Sequence, residues 1–243
     1  MTANAVLLLL VFAFGASFTQ RVTGFGFGIF IMTVLPYLMP SFGEATALSG
    51  VLAVVCVLVT ACKHVKYIQW KKLLPILITF LVVSFFSVRA VAGLDGHLLK
   101  RALGGILIAV SIWFFLFSER VRMRPSIPVQ LGMGTISGLM GGFFAMQGPP
   151  AVVYFLSCTD DKEQYISLIS AYFVIGNIMM TVFRAASGLV TTDVLKAALI
   201  GLPAVILGLW TGRKVYARMP IAAIRKAVYA FMAVAGAIAL IAG

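Results

Sequence analysis

The sequence predicts an all-α integral membrane protein built from two similar halves, and three observations carry that prediction. First, 62% of its 243 residues are hydrophobic and only 11% charged, with a mean hydropathy of +1.08. Soluble domains carry about 45–50% apolar and about 25% charged residues. Second, the apolar residues fall into eight runs, near 5–40, 46–62, 73–93, 102–118, 128–157, 165–187, 194–212 and 226–243. Most match the roughly 20 residues a helix needs to cross the hydrocarbon. Third, a shift of 125 residues lays Lys71 on Lys196, Arg89 on Lys214, and Lys100-Arg101 on Arg225-Lys226. The halves expected are 1–124 and 125–243, joined in one membrane domain with no polar tract long enough for a soluble one.

The chain begins Met1-Thr2-Ala3-Asn4, without the positive charge of a secretory leader, so the first run is expected to stay as a membrane segment. That run is too long to be one span. A continuous helix over 5–40 would measure about 54 Å against about 30 Å of hydrocarbon. It also contains Gln20-Arg21-Val22-Thr23-Gly24-Phe25-Gly26-Phe27-Gly28, an arginine beside three alternating glycines. Glycine frees φ and permits a helix to break, so this stretch predicts a break or a hairpin tip.

The fifth run is long for the same reason and holds Gly141-Gly142-Phe143-Phe144-Ala145-Met146-Gln147-Gly148-Pro149-Pro150. Proline starts a helix more naturally than it continues one. The 125-residue shift sets Gly24–Gly28 on Pro149–Val153, beside Gly148. Eight to ten membrane segments result, depending on whether these two runs cross once or fold back.

The basic loops choose between those arrangements. If both long runs cross once, the repeats are parallel and the lysines and arginines divide almost evenly between the two sides. If both are hairpins, the repeats are inverted. With loop 63–72 inside, thirteen basic residues then lie inside, and Arg89, Lys100, Arg101 and Lys196 alone lie outside. Cytoplasmic loops carry the excess of Lys and Arg, so inverted halves are favoured. The same clustering explains the net charge of +12 and argues against nucleic acid as a partner.

Chemistry has few candidates. Cys56, Cys62 and Cys158 form no paired motif, and His64 and His97 fall in loops, so neither a metal site, a cofactor nor an enzyme is expected. The seven acidic residues all lie in or near loops, which leaves no carboxylate at membrane depth for a proton relay or a cation. Arg21 and Arg184 are the basic residues set deep in apolar runs. Either of them binds an anion through charge-assisted hydrogen bonds, or snorkels to the head groups from a helix end. A helix starting after Gly148-Pro149 would add N–H groups and partial positive charge. Gln20, Thr23, Gln147, Tyr154 and Asn177 are polar at comparable depth, where they serve a ligand or hydrogen-bond between helices.

Two four-run halves, each opening on a glycine-rich break, resemble the TauE/SafE family of sulfite and organosulfonate exporters. The closest likeness is Gly141 to Tyr154, where glycine-proline-proline follows a glycine-rich stretch. Asp161-Lys162 and Asn177 are similar in placement, whereas the first half separates Gly24, Gly26 and Gly28 with phenylalanines. The resemblance implies a permease for sulfite, sulfonates or related small anions in the bilayer of a bacterial inner membrane. The expected binding set is Gln20, Arg21, Thr23, Gly24, Gly26, Gly28, Gln147, Gly148, Pro149, Pro150, Tyr154, Asn177 and Arg184. The competing readings are an anion channel and a membrane scaffold that moves nothing; a homodimer is left open as the assembly.

Overall fold

A computed structural model describes residues 2–61, 68–91, 93–117, 124–159 and 162–216, with 233–234, 236–237 and 240–241. The basic clusters near 62–67, 118–123 and 217–226, most of the eighth apolar run, Cys62, His64, Glu119 and the Asp160-Asp161 pair lie outside the described residues. Those described form helices joined by short links, with no strand among them. In chain order they are α1 (Ala3–Thr23), α2 (Phe27–Ile31), α3 (Leu35–Leu38), α4 (Phe42–Ala61) and α5 (Trp70–Val91). Then follow α6 (Gly96–Phe117), α7 (Ile127–Phe144), α8 (Gly148–Cys158), α9 (Lys162–Ala186) and α10 (Thr192–Tyr216). Seven of these (α1, α4, α5, α6, α7, α9 and α10) are long and apolar enough to span a bilayer. The protein is a multi-pass membrane protein.

Both long apolar runs break and fold back. α1 starts at Thr2, whose hydroxyl oxygen accepts from Ala5 N–H at 3.3 Å, and stops at Gly24, which adopts the left-handed conformation at φ 86°. Gly26, at φ 100°, then turns the chain into α2. α2 returns along α1: the Phe30 ring lies 5.7 Å from that of Phe12 and covers Gly15, where a side chain would strike it. In the second half α7 stops at Ala145, φ 57°, and α8 opens on Gly148-Pro149-Pro150. It runs back along α7, with Ser137 Oγ donating to Gln147 O at 2.6 Å near the tip and Gln130 Nε2 donating to Tyr154 Oη at 2.9 Å further away. The hairpin expectation holds at both runs. The breaks, however, match Gly24 with Ala145, so their register is one helical turn shorter than the 125-residue shift that paired Gly24 with Pro149.

Contacts between helices fix their directions. Gly134, Gly138 and Gly142 of α7 meet Ile76, then Phe80 and Val83, then Ser84 and Ser87 of α5, so these two helices run parallel. Along α10, Gly201, Gly208 and Gly212 meet Ala13, Ser17 and Arg21 in turn, so α10 runs parallel to α1. Leu52 of α4 reaches Gly201, and Glu44 accepts from Thr191 Oγ1 at 2.8 Å, which aligns α4 with α10. α9 follows α5, since Lys72 Nζ donates to Gln164 Oε1 at 3.2 Å and Phe85 packs on Phe183 at 5.3 Å. Thus α1, α4 and α10 point one way and α5, α7 and α9 the other.

The glycine rows of α7 and α10 let two backbones come close, the usual way membrane helices associate where lipid offers no hydrophobic drive. A Cβ at Gly138 would stand 2.7 Å from Val83 Cβ and 3.0 Å from Phe80 O. Gly132, on the same helix, faces open space. Gly138→Ala is expected to destabilise the purified protein by about 1–3 kcal/mol through overpacking. Gly132→Ala is expected to raise stability by about 0.5–1 kcal/mol, because glycine is a poor helix former. Thermal unfolding in detergent, followed by intrinsic tryptophan fluorescence, checks both; a matching response of the two variants would contradict the parallel α5–α7 seam.

Candidate functional site

The two hairpin tips meet. A Cβ at Gly28 would collide with the carbonyl oxygen of Ala145, so the first tip touches the second through main chain. Between them lies a cleft with about 360 Å³ of empty space, measured out to its open side. The tips contribute Gln20, Gly26, Phe27, Gly28 and Ile29 from one half, and Ala145, Met146, Gln147 and Gly148 from the other. α4 closes it with Ala53 and Val57, and α9 with Phe173 and Asn177. No carboxylate and no lysine is among these lining residues.

The side chains that hold the tips differ from those left for a ligand. Gln20 is committed to its own turn: Nε2 donates to Gly24 O at 3.2 Å, and Oε1 accepts from Phe27 N–H at 3.1 Å. Thr23 Oγ1 lies within hydrogen-bonding distance of the carbonyls of both Thr19 and Phe25, at 2.9 and 2.6 Å. At the second tip, Ser137 Oγ engages Gln147 O and lies 2.6 Å from Tyr172 Oη. Only the main chain of Gln147 is tied down by that bond. The residue borders the cleft and is just 5% exposed, with its amide nitrogen on the side of Gly176 of α9. Asn177, 7% exposed, donates Nδ2 to Phe173 O at 2.8 Å and so orients its amide on α9.

Backbone donors add to this. The first N–H groups of a helix have no partner within it, and its N-terminus carries partial positive charge. At α8 the cleft meets that terminus at Gly148, while Pro149 and Pro150 carry no N–H. The lining therefore presents side-chain amides, each with donors and an acceptor, and a helix N-terminus rather than a formal charge.

Of the residues expected from the sequence, Gln20, Gly26, Gly28, Gln147, Gly148 and Asn177 come together here. The remainder lie elsewhere. Thr23 and Gly24 form the turn behind the first tip, and Pro149 and Pro150 are buried in the first turn of α8. Tyr154 is a hydrogen-bond link between helices: it accepts from Gln130 and donates to Lys72 O at 3.3 Å. Arg21, half-buried, lays its Cβ and Cγ against Gly212 of α10. Arg184 is 1% exposed, so it does not snorkel; its Nη2 donates to Gly141 O at 2.8 Å near the end of α7. Sequence reasoning missed the apolar lining. Phe27, Ala145 and Met146 could have been found as neighbours of the tips, but Ala53, Val57 and Phe173 carry no local signal of a site.

Spanning helices in two opposed sets, two hairpins that stop inside the protein, and a small cleft where their tips meet define a multi-pass membrane protein with broken helices at its centre, an arrangement that transporters use. The family model described as sulfite exporter TauE/SafE matches residues 9–239. The chain belongs to that family, an exporter family rather than an enzyme family. It is similar to a protein of Cupriavidus necator described as a probable sulfite/organosulfonate exporter TauE, at 23% identity over 204 residues. The alignment covers 82% of this chain and 79% of that protein. No solved structure gives a significant match.

Ala145 is the one non-glycine residue with positive φ among those described. A left-handed residue with a Cβ costs about 1–2 kcal/mol, so Ala145→Gly is expected to raise the unfolding temperature. Gly28→Ala is expected to lower it, because a new methyl group would push the tips apart. Thermal unfolding of the two variants, with and without sulfite, separates strain at the tip from its use in binding.

Proposed function

We propose that this protein is a secondary carrier that exports sulfite or a small organosulfonate across a bacterial inner membrane. The observation that carries the proposal is the cleft between the hairpin tips, lined by amide and main-chain donors with no carboxylate among its lining residues. Gln147 and Asn177 supply side-chain donors, and the start of α8 supplies an N–H group and partial positive charge to the sulfonyl oxygens. Phe27, Ile29, Val57, Met146 and Phe173 exclude water, which strengthens each of those hydrogen bonds. Arg21, on the α1–α10 seam beside Gln20, raises the potential at the approach to the cleft instead of touching the anion. Gly24 and Gly26 hold the first tip, and Thr23, Pro149, Pro150 and Tyr154 fix the hairpins that present the donors.

Family membership and the name of the Cupriavidus relative support the substrate class. Support for alternating access comes from the helix directions. The pairs α1 with α7, α4 with α9 and α5 with α10, taken in order along 1–124 and 125–243, are each opposed, as inverted halves require. Carriers built so place their site at discontinuous helices near the midplane and open it to one side at a time. Export of an anion also needs no proton relay. A negative-inside potential expels it with about 2.3 kcal/mol per charge per 100 mV.

Proteoliposomes loaded with radiolabelled sulfite or taurine test the reading. The wild-type protein is expected to give saturable efflux. Gln147→Ala and Asn177→Ala are each expected to reduce efflux at low substrate by roughly tenfold or more, since a hydrogen bond to a charged group is worth about 1.5–3 kcal/mol. Normal efflux from a correctly inserted Gln147→Ala, Asn177→Ala double variant would place the site elsewhere, and non-saturating flux would mark a channel.

A further inference from the structure

The buried guanidinium of Arg184 is not used by the cleft and is left with little to hold. It is 1% exposed, its one assigned protein acceptor is the carbonyl of Gly141, and its Nε has no partner although it is wholly shielded. No acidic residue is assigned to it among those described. Gly50 of α4 is what lets the guanidinium lie there: a Cβ at Gly50 would stand 3.0 Å from Nη1 and 3.3 Å from Thr181 Oγ1. Ser49, next to Gly50 in the chain, has a buried hydroxyl without a partner. A buried donor left unmatched costs about 1–3 kcal/mol, more when it is charged, and a full positive charge at membrane depth is costlier still. A buried donor of this kind calls for a partner, which an ordered water or a bound ion can supply.

The position of Arg184 relates it to the cleft. Asn177, Thr181 and Arg184 lie four and then three residues apart, on one face of α9, spanning about 10 Å at 1.5 Å per residue. Across from them, α4 gives Ala53 and Val57 to the cleft and Gly50 to Arg184. The α4–α9 seam therefore leads from the cleft to the guanidinium. It leads away from the basic end of the protein, where Lys71, Lys72, Arg124, Arg213 and Lys214 collect, toward the end that holds Glu44 and Thr191. With the basic end inside, Arg184 stands on the outer side of the cleft.

We propose that Arg184, packed against the bare backbone of Gly50, forms a second binding site for a small oxyanion, placed in series with the cleft on its exit side. The anion leaves the neutral donors of Gln147 and Asn177 for a formal positive charge before it reaches the outer surface. A guanidinium meets two oxygens of a sulfite or sulfonate at once, which a point charge does not. This inference rests on the reading that the cargo is an oxyanion, but it does not need the cleft to be the other site.

Equilibrium dialysis of the detergent-solubilised, full-length protein against radiolabelled sulfite tests it. Two anions per chain are expected for the wild type, one for Arg184→Gln and one for Gln147→Ala. An anion count in Arg184→Gln equal to that of the wild type would overturn the second site and leave Arg184 as a cap on α7. Should Arg184→Gln fail to fold, Gly50→Ala keeps the charge and presses a methyl group against the guanidinium. It is expected to weaken one of the two anions about tenfold; unchanged affinities would overturn the proposal. Two anions retained in Gln147→Ala would count against the cleft alone, so the two readings fail separately.

Discussion

A chain that stops being helical inside a bilayer releases backbone groups that lipid cannot satisfy, and each costs several kcal/mol. That constraint governs the two tips and, through them, the rest of the molecule. Gln20 binds both sides of its turn, Thr23 engages the carbonyl of Phe25, and Ser137 donates to the carbonyl of Gln147. None of these bonds is possible unless each hairpin closes on itself. Closing it brings α2 back along α1 and α8 back along α7, and it buries the tips where α4 and α9 cover them. The cleft is what remains where two such tips cannot fill the space between them.

The division of labour among polar residues follows. Those nearest the breaks serve the main chain, and the donors left over belong to Gln147, Asn177 and the start of α8. Arginine has a similar duty in the second half, where Arg184 meets a carbonyl at the end of α7, the negative end of that helix dipole. A neutral site with positive charge held to one side suits a carrier, because an anion gripped by a full charge at the midplane would be slow to leave.

Length arithmetic showed that neither long run fits as one upright span, the first being 36 residues against about 30 Å of hydrocarbon, and loop charge then favoured hairpins over single crossings. Proline at 149 and 150 marked the start of α8, and loop charge favoured the opposed directions that the helix contacts show. Register was harder. The 125-residue shift aligned lysines and arginines near the ends of α5, α6 and α10, away from the hairpins, and the breaks at Gly24 and Ala145 fall four residues short of it. Arg21 and Arg184 stood out in the sequence because charge is rare at that depth, yet the sequence does not say which way a long side chain points. α10 takes the first across its surface, and α7 takes the second. Ala53, Val57 and Phe173 were illegible for the opposite reason, since an apolar residue facing a cleft looks like one facing lipid.

The parallel seams also set a timetable. α1 lies mainly against α10, which follows it by nearly the whole length of the chain, and α5 lies against α7 across the boundary between halves. At roughly 5–20 residues per second of synthesis, α1 waits on the order of ten seconds or more for its partner. During that interval the first hairpin has itself and α4, which follows it directly, and Gln20 holds its turn closed. A tip that holds its own turn therefore serves biogenesis too: the turn stays closed until α10, made late in synthesis, packs along α1.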